Sequence, residues 1–132
     1  MNLKPLEART VLPLPNAELA LMELLWRRGR LTSRDIIDEL YPDATRPQHG
    51  TVQRLLQRLE DKGCVVRDRD LGVNAFTPVL TRESYATGQL EVLAERLTGG
   101  SLAPMLTRLV EHNKLPRTEI ERLRRILEDR DE

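Results

Sequence analysis

Thr45-Arg46-Pro47-Gln48-His49-Gly50-Thr51-Val52-Gln53-Arg54-Leu55-Leu56-Gln57-Arg58-Leu59-Glu60-Asp61-Lys62-Gly63 is the stretch on which the fold turns. Thr45 and Gln48 have the spacing of a capping box, in which each side chain accepts the other residue's backbone N–H. Pro47 falls in the first turn, where its missing N–H is not needed. Val52, Leu55, Leu56 and Leu59 recur at three and four and make one apolar face. Lys62 suits the last turn, and Gly63 suits the left-handed residue that follows a helix. A helix over 45–62 is therefore predicted. Its outer face carries Gly50, Gln53, Arg54, Gln57 and Arg58, with Thr51 on the edge. Arg46, Gln48 and His49 lie at its N-terminal end. No carboxylate occurs over 46–59.

Upstream, two shorter helices are predicted. Asn16 can cap the first and Glu18 sits in its first turn. Leu19, Met22, Leu25 and Trp26 share one side, and Gly29 stops the helix after Arg27 and Arg28. These two arginines, with Arg30, are expected to answer the helix C-terminal dipole. The second helix starts at Thr32 with Asp35 three residues on, a variant of the capping box. Ile36, Ile37 and Leu40 form its stripe, and Pro42 ends it.

Downstream, the hydrophobic period changes. Residues 64–67 read as a strand, 68–73 with Gly72 as a turn, and 74–79 as a return strand. This hairpin offers Arg67 and Arg69 as phosphate contacts, opposed by Asp68 and Asp70. Thr81 and Glu83 open a fourth helix with Ala86, Leu90, Leu93, Ala94 and Leu97, broken at Gly99-Gly100. Ser101 is expected to cap a fifth with Leu102, Met105, Leu106, Leu109 and Val110. A sixth follows Pro116 with Ile120, Leu123, Ile126 and Leu127. The predicted fold is mainly α with a small β-hairpin wing. It comprises an arm over 1–15 with Pro5, Pro13 and Pro15, a winged helix-turn-helix over 16–80, and a helical region over 81–132. The last three helices carry more apolar surface than they can bury among themselves, which points to a C2 homodimer.

Composition narrows the function. With 132 residues, 39% hydrophobic and no net charge, the chain is long and apolar enough to fold as one domain with an appendage. One cysteine, Cys64, excludes an internal disulfide framework and is expected to be a small buried hydrophobe. With His49 and His112 far apart, no zinc spacing exists, so neither metal nor cofactor is expected. No apolar run approaches a membrane span and the first residues lack a secretory core, so a cytoplasmic location without membrane insertion is expected. Carboxylates are scattered, and Gly99-Gly100 lacks the pattern of a phosphate loop, so an enzyme is not expected. Aromatics at 3% are too few for base-stacking binders of single strands. The charge balance hides an asymmetry. Up to Arg82 there are 13 basic and 11 acidic residues, and beyond it 8 and 10. The function expected is sequence-specific binding of double-stranded DNA through the third helix. A helix entering the major groove presents its N-terminal residues to base edges. Arg pairs bidentately with guanine and Gln with adenine. Thr51 can touch a thymine methyl, and Gly50 lets the backbone approach the duplex. The alternative is a winged-helix protein-interaction module without DNA binding.

Five stretches in order also resemble the penicillinase repressor family, which includes regulators of β-lactamase and methicillin-resistance genes and copper-transport repressors. Leu12-Pro-Leu-Pro-Asn-Ala-Glu-Leu-Ala-Leu-Met-Glu-Leu-Leu-Trp26 resembles its opening helix, and Gly50 through Gly63 its recognition helix. Phe76-Thr-Pro-Val-Leu-Thr-Arg-Glu-Ser-Tyr85 resembles the end of its wing, Gly100-Ser101-Leu102 the start of its fifth helix, and 115–127 its closing helix. The resemblance implies a dimeric repressor of an inverted-repeat operator. It places Thr51, Gln53 and Arg54 in the DNA-reading segment. It places Leu90, Leu93, Leu97, Leu106, Leu109 and Leu123 in the dimer region. Some members are inactivated by cleavage between Asn and Phe in the fifth helix. That bond aligns here with Arg108–Leu109, a different residue pair, through which a membrane sensor-protease would be a further partner. Copper-responsive members carry C-terminal cysteine pairs, which this chain lacks.

Overall fold

In the computed structural model, residues 13–130 are described; most of the expected N-terminal arm lies outside them. The element order is α1 (Asn16–Arg28), β1 (Leu31–Thr32), α2 (Ser33–Leu40), α3 (Arg46–Asp61), β2 (Val65–Asp70), β3 (Val73–Pro78), α4 (Arg82–Thr98), α5 (Ala103–Glu111) and α6 (Arg117–Arg130). The chain divides into two compact units, one up to Val92 and one from Leu93 onward. The first is a winged helix: three helices followed by a hairpin whose strand β3 also pairs with β1, giving the antiparallel order β1-β3-β2.

Capping explains where the helices begin. Thr45 Oγ1 accepts from Gln48 N–H at 3.4 Å, and Gln48 Oε1 accepts from Thr45 N–H at 2.9 Å. Thr32 and Asp35 make the same reciprocal pair at the start of α2. Each satisfies two amides that a helix start leaves without partners. Two expected caps differ. Pro15 occupies the N-cap of α1, so Asn16 is already helical and makes no cap bond. Helix α5 starts after Leu102, without a side-chain cap from Ser101. At the other ends, Gly29 and Gly63 take positive φ, as a chain leaving a helix requires.

The first unit's core joins Leu21, Met22, Leu24 and Leu25 of α1 to Ile36 and Ile37 of α2 and Val52, Leu55, Leu56 and Leu59 of α3. Phe76 of β3 and Val65 of β2 close it from the sheet side. The buried face of α1 is thus turned from the expected one: Leu21 and Leu24 are inside, while Leu19 and Trp26 are only half-buried. Trp26 Nε1–H donates to the Leu80 carbonyl at 2.7 Å, and the Arg82 guanidinium lies 5.0 Å over its ring. Tyr85 accepts the Leu14 N–H at 2.9 Å, tying the entry of α1 to α4.

The wing is longer than the sequence suggests. Strands β2 and β3 pair from Val65–Pro78 out to Asp70–Val73, leaving a turn of only Leu71 and Gly72. The residues expected as a six-residue turn therefore mostly belong to the ladder.

Cys64 is fully buried, immediately before β2. Burial pushes its thiol upward from the ordinary range; neighbouring Lys62 opposes the shift and Glu18 adds to it. Both charges are close because Lys62 Nζ donates to Glu18 Oε1. This ion pair joins the first turn of α1 to the end of α3, and Glu18 is 1% exposed.

Candidate nucleic-acid interface

Burying Val52, Leu55, Leu56 and Leu59 turns the opposite side of α3 to solvent. Arg46, His49, Gln53, Arg54, Gln57 and Arg58 are exposed, and Gln48, Gly50 and Thr51 are half-buried. Among the described residues, the side chains of Arg46, His49, Gln53 and Arg58 make no hydrogen bond or ion pair to another part of the head. Ala44, Arg46 and His49 line a shallow hollow at the helix start.

Arg54 is held in place. Thr51 Oγ1–H donates to the Pro47 carbonyl at 3.1 Å and Thr51 Oγ1 accepts from Arg54 Nη2–H at 3.3 Å. Helical side chains lean toward the N-terminus, and this bond fixes the guanidinium in that direction. Arg54 Nη1 lies 3.4 Å from the position a Cβ on Gly50 would take. Thr51, Arg54 and Gly50 thus form one patch on the exposed side of α3.

The far end of α3 is different. Arg67, expected as a phosphate contact, has its guanidinium on Glu60 Oε1 at 2.7 and 3.1 Å and on Gln57 Oε1 at 3.2 Å, with its cationic carbon 5.1 Å over the Phe76 ring. It anchors the wing to α3. Gln57 also donates to Asp61 Oδ1 at 2.9 Å. Arg69 remains exposed on β2, and its Nη2–H donates to the Gly72 carbonyl at 3.1 Å. Arg30 pairs with Asp68 and Arg28 with Glu39 of α2. These two arginines therefore fasten neighbouring elements rather than simply answering the α1 dipole. The pairings were invisible to spacing because their partners are 38 and 11 residues away.

In the second unit, Leu93, Leu97, Leu106, Leu109 and Leu123 are exposed, as is Leu90 on the preceding part of α4. Val110, Ile126 and Leu127 extend the stripes on α5 and α6 and are exposed too. Neither α5 nor α6 has a buried residue. The bond Arg108–Leu109 lies inside α5, and the carbonyls on either side of it accept N–H groups from His112 at 3.0 Å and Lys114 at 2.8 Å. Among the described residues no three of His, Cys, Asp and Glu gather as a metal site requires, and no helix is long and apolar enough to cross a membrane.

A family model described as penicillinase repressor matches residues 14–129. The penicillinase repressor of Bacillus licheniformis is 28% identical over 114 residues, covering 86% of this chain and 88% of that one. An uncharacterized 16.5 kDa protein of Latilactobacillus sakei is 27% identical over 111 residues, covering 84% and 75%. The solution structure of the DNA-binding domain of the repressor BlaI is also similar, at 26% identity and a TM-score of 0.47, over 55% of this chain and 87% of that one.

Proposed function

The chain belongs to the penicillinase repressor family, and on that footing we propose that it is a cytoplasmic, homodimeric transcriptional repressor that seats α3 in the major groove of each half of an inverted-repeat operator. The observation that carries this reading is the outer face of α3: exposed, cationic, free of acids over 46–59, and with Arg54 fixed toward the helix start. Arg54, Gln53 and Thr51 supply contacts to bases. Arg46, Gln48, His49 and Arg58 supply contacts to the flanking phosphates, with the helix N-terminus adding its own attraction for an anion. In this reading Arg69 contacts phosphate from the wing, whereas Arg67 serves it indirectly by fixing the wing to α3. The apolar stripes of α4, α5 and α6, with Leu90, Leu93, Leu97, Leu106, Leu109 and Leu123, supply the dimer contact. Repression follows by occlusion of promoter DNA. A membrane sensor-protease acting at Arg108–Leu109 would have to unwind the hydrogen-bonded turn of α5 that contains it.

The test is an electrophoretic shift on the DNA upstream of the chain's own gene. Binding should fall steeply with salt, because each phosphate neutralised releases counterions. Arg54→Ala should weaken operator binding by about 1–3 kcal/mol and relax discrimination at one base pair of each half-site. Unchanged discrimination between operator and scrambled duplex would remove Arg54 from base reading. Absence of any shift at low salt would instead favour a protein partner for α3.

Gly50 gives a test with two opposite signs. A glycine inside a helix is less stable than alanine by about 0.5–1 kcal/mol, and a Cβ here would meet only the end of Arg54 at ordinary contact distance. Gly50→Ala should therefore raise the midpoint of thermal unfolding while weakening operator binding, by keeping the backbone from the duplex. An alanine variant that is more stable and binds equally well would show that close backbone approach at Gly50 is not used.

A further inference from the structure

Three described residues other than glycine have positive φ: Asp43, Leu71 and Asn113. Short polar residues tolerate the left-handed region because their side chains bond locally; leucine does not. Leu71, at φ 53, shares the wing's turn with Gly72, at φ 82. A two-residue turn with both φ positive favours Asn or Gly at its first position. Leu71 is also 98% exposed, so no packing within the head offsets the strain. Backbone and solvent both disfavour leucine here. Strain of this kind persists where the side chain serves a partner.

The position of the turn indicates which partner. Arg67 fastens its face of the hairpin to Gln57 and Glu60 on α3. Leu71 lies four residues beyond Arg67, a reach of about 13 Å at the rise of a strand. A helix seated in a major groove about 12 Å wide has the bordering phosphates about 6 Å from its axis. A tip with that reach is long enough to pass the ridge and meet the flanking minor groove. Arg69 bonds the Gly72 carbonyl and so brings a cation to the tip, and Asp68 is neutralised by Arg30. Minor grooves attract cations where they are narrow, and they admit apolar side chains at deformable base steps.

We propose that Leu71 is an apolar contact set into the minor groove flanking each half-site, a specificity determinant separate from α3 and aimed by the left-handed turn. It rests on the DNA-binding reading above. The experiment compares the wild type, Leu71→Asn and Leu71→Met in the full-length chain, on a duplex of the upstream DNA. Thermal unfolding, binding, and methylation of adenine N3 by dimethyl sulfate in the minor groove are measured. Leu71→Asn should raise the unfolding midpoint by about 2–6 °C, as relief of turn strain in a small domain predicts. It should weaken binding about tenfold or more and lose protection of flanking adenines. Leu71→Met keeps the apolar group and the strain, and should match the wild type in all three. An asparagine variant that binds as tightly as the wild type, or is no more stable, overturns the proposal. So does a methionine variant that loses as much binding as asparagine, or wild-type binding without flanking protection. A wild type that does not bind the duplex at all overturns the DNA-binding reading itself, and this proposal with it.

Discussion

Replacing Leu109 and Leu123 together by glutamate should convert the protein from a dimer to a monomer and abolish tight binding to a two-half-site operator. Full burial of a leucine stabilises by about 1.5–3 kcal/mol. Both residues are partly covered within their own chain, so a partner would contribute roughly half of that at each. An isologous interface counts each substitution twice. The loss is then about 4 kcal/mol before the cost of placing carboxylates in an apolar seam, or roughly a thousandfold in dimer affinity. Light scattering should show the mass fall from twice 15.2 kDa to 15.2 kDa at micromolar concentration. Operator affinity should fall by about 10²–10⁴-fold, because the second head loses the effective concentration that tethering provides. The winged helix should still unfold cooperatively, since its core of Leu21, Leu56, Phe76 and their neighbours lies entirely within the first unit. A wild type that is already monomeric, or a double variant that stays dimeric, would refute the role of these stripes.

How much of this was legible depends on how local the determinants are. Helix α3 was open to reading because its cap, proline, apolar stripe and closing glycine all sit within 19 consecutive residues and agree. The same locality fixed the outer face of α3. The face of α1 was not so constrained. Leu19, Leu21, Met22, Leu24, Leu25 and Trp26 spread apolar surface over much of its circumference, and only packing against α2 and α3 selects among them. Strand β1 escaped notice because its two residues overlap the capping box of α2 and gain strand identity only by pairing with Phe76 and Ala75. The turn of the wing reads wider in sequence than in the fold because Leu71-Gly72 lacks the asparagine or aspartate that marks a tight hairpin.

The site divides in the same way. Exposure of Arg46, Arg54 and Arg58 follows from helical period alone. The engagement of Arg67 by Glu60 and Gln57 does not, because it depends on where the hairpin folds back across α3. Sequence offers Arg67 and Arg69 alike as phosphate contacts; the fold separates them, engaging one guanidinium with Glu60 and Gln57 of α3 and leaving the other near the tip.

Lys62→Met should destabilise the head by about 2 kcal/mol, less than a fully buried pair would lose because the Lys62 side chain is partly exposed, yet a sizeable share of the roughly 5–15 kcal/mol that such a domain has in total. Glu18 is almost completely buried at the first turn of α1, on the same side as Leu21 and Leu25. Its carboxylate is tolerated there because Lys62 donates to it from the end of α3. Each charge also suits its own helix terminus, the acid at a positive end and the base at a negative one. Removing the lysine leaves an acid in an apolar setting without its ion-pair partner, which is where the penalty arises, rather than in the small net value of the pair itself. The double substitution Glu18→Leu with Lys62→Met should therefore recover most or all of the loss, since an apolar pair of similar volume needs no partner. Urea unfolding of the single and double variants measures this directly. A single variant as stable as the wild type would mean that Glu18 reaches water or another donor, and a double variant no better than the single would locate the loss in packing around Lys62. Because the pair ties α1 to the end of α3, the single variant should also lose operator affinity if α3 reads the operator as proposed, and the double variant should regain it.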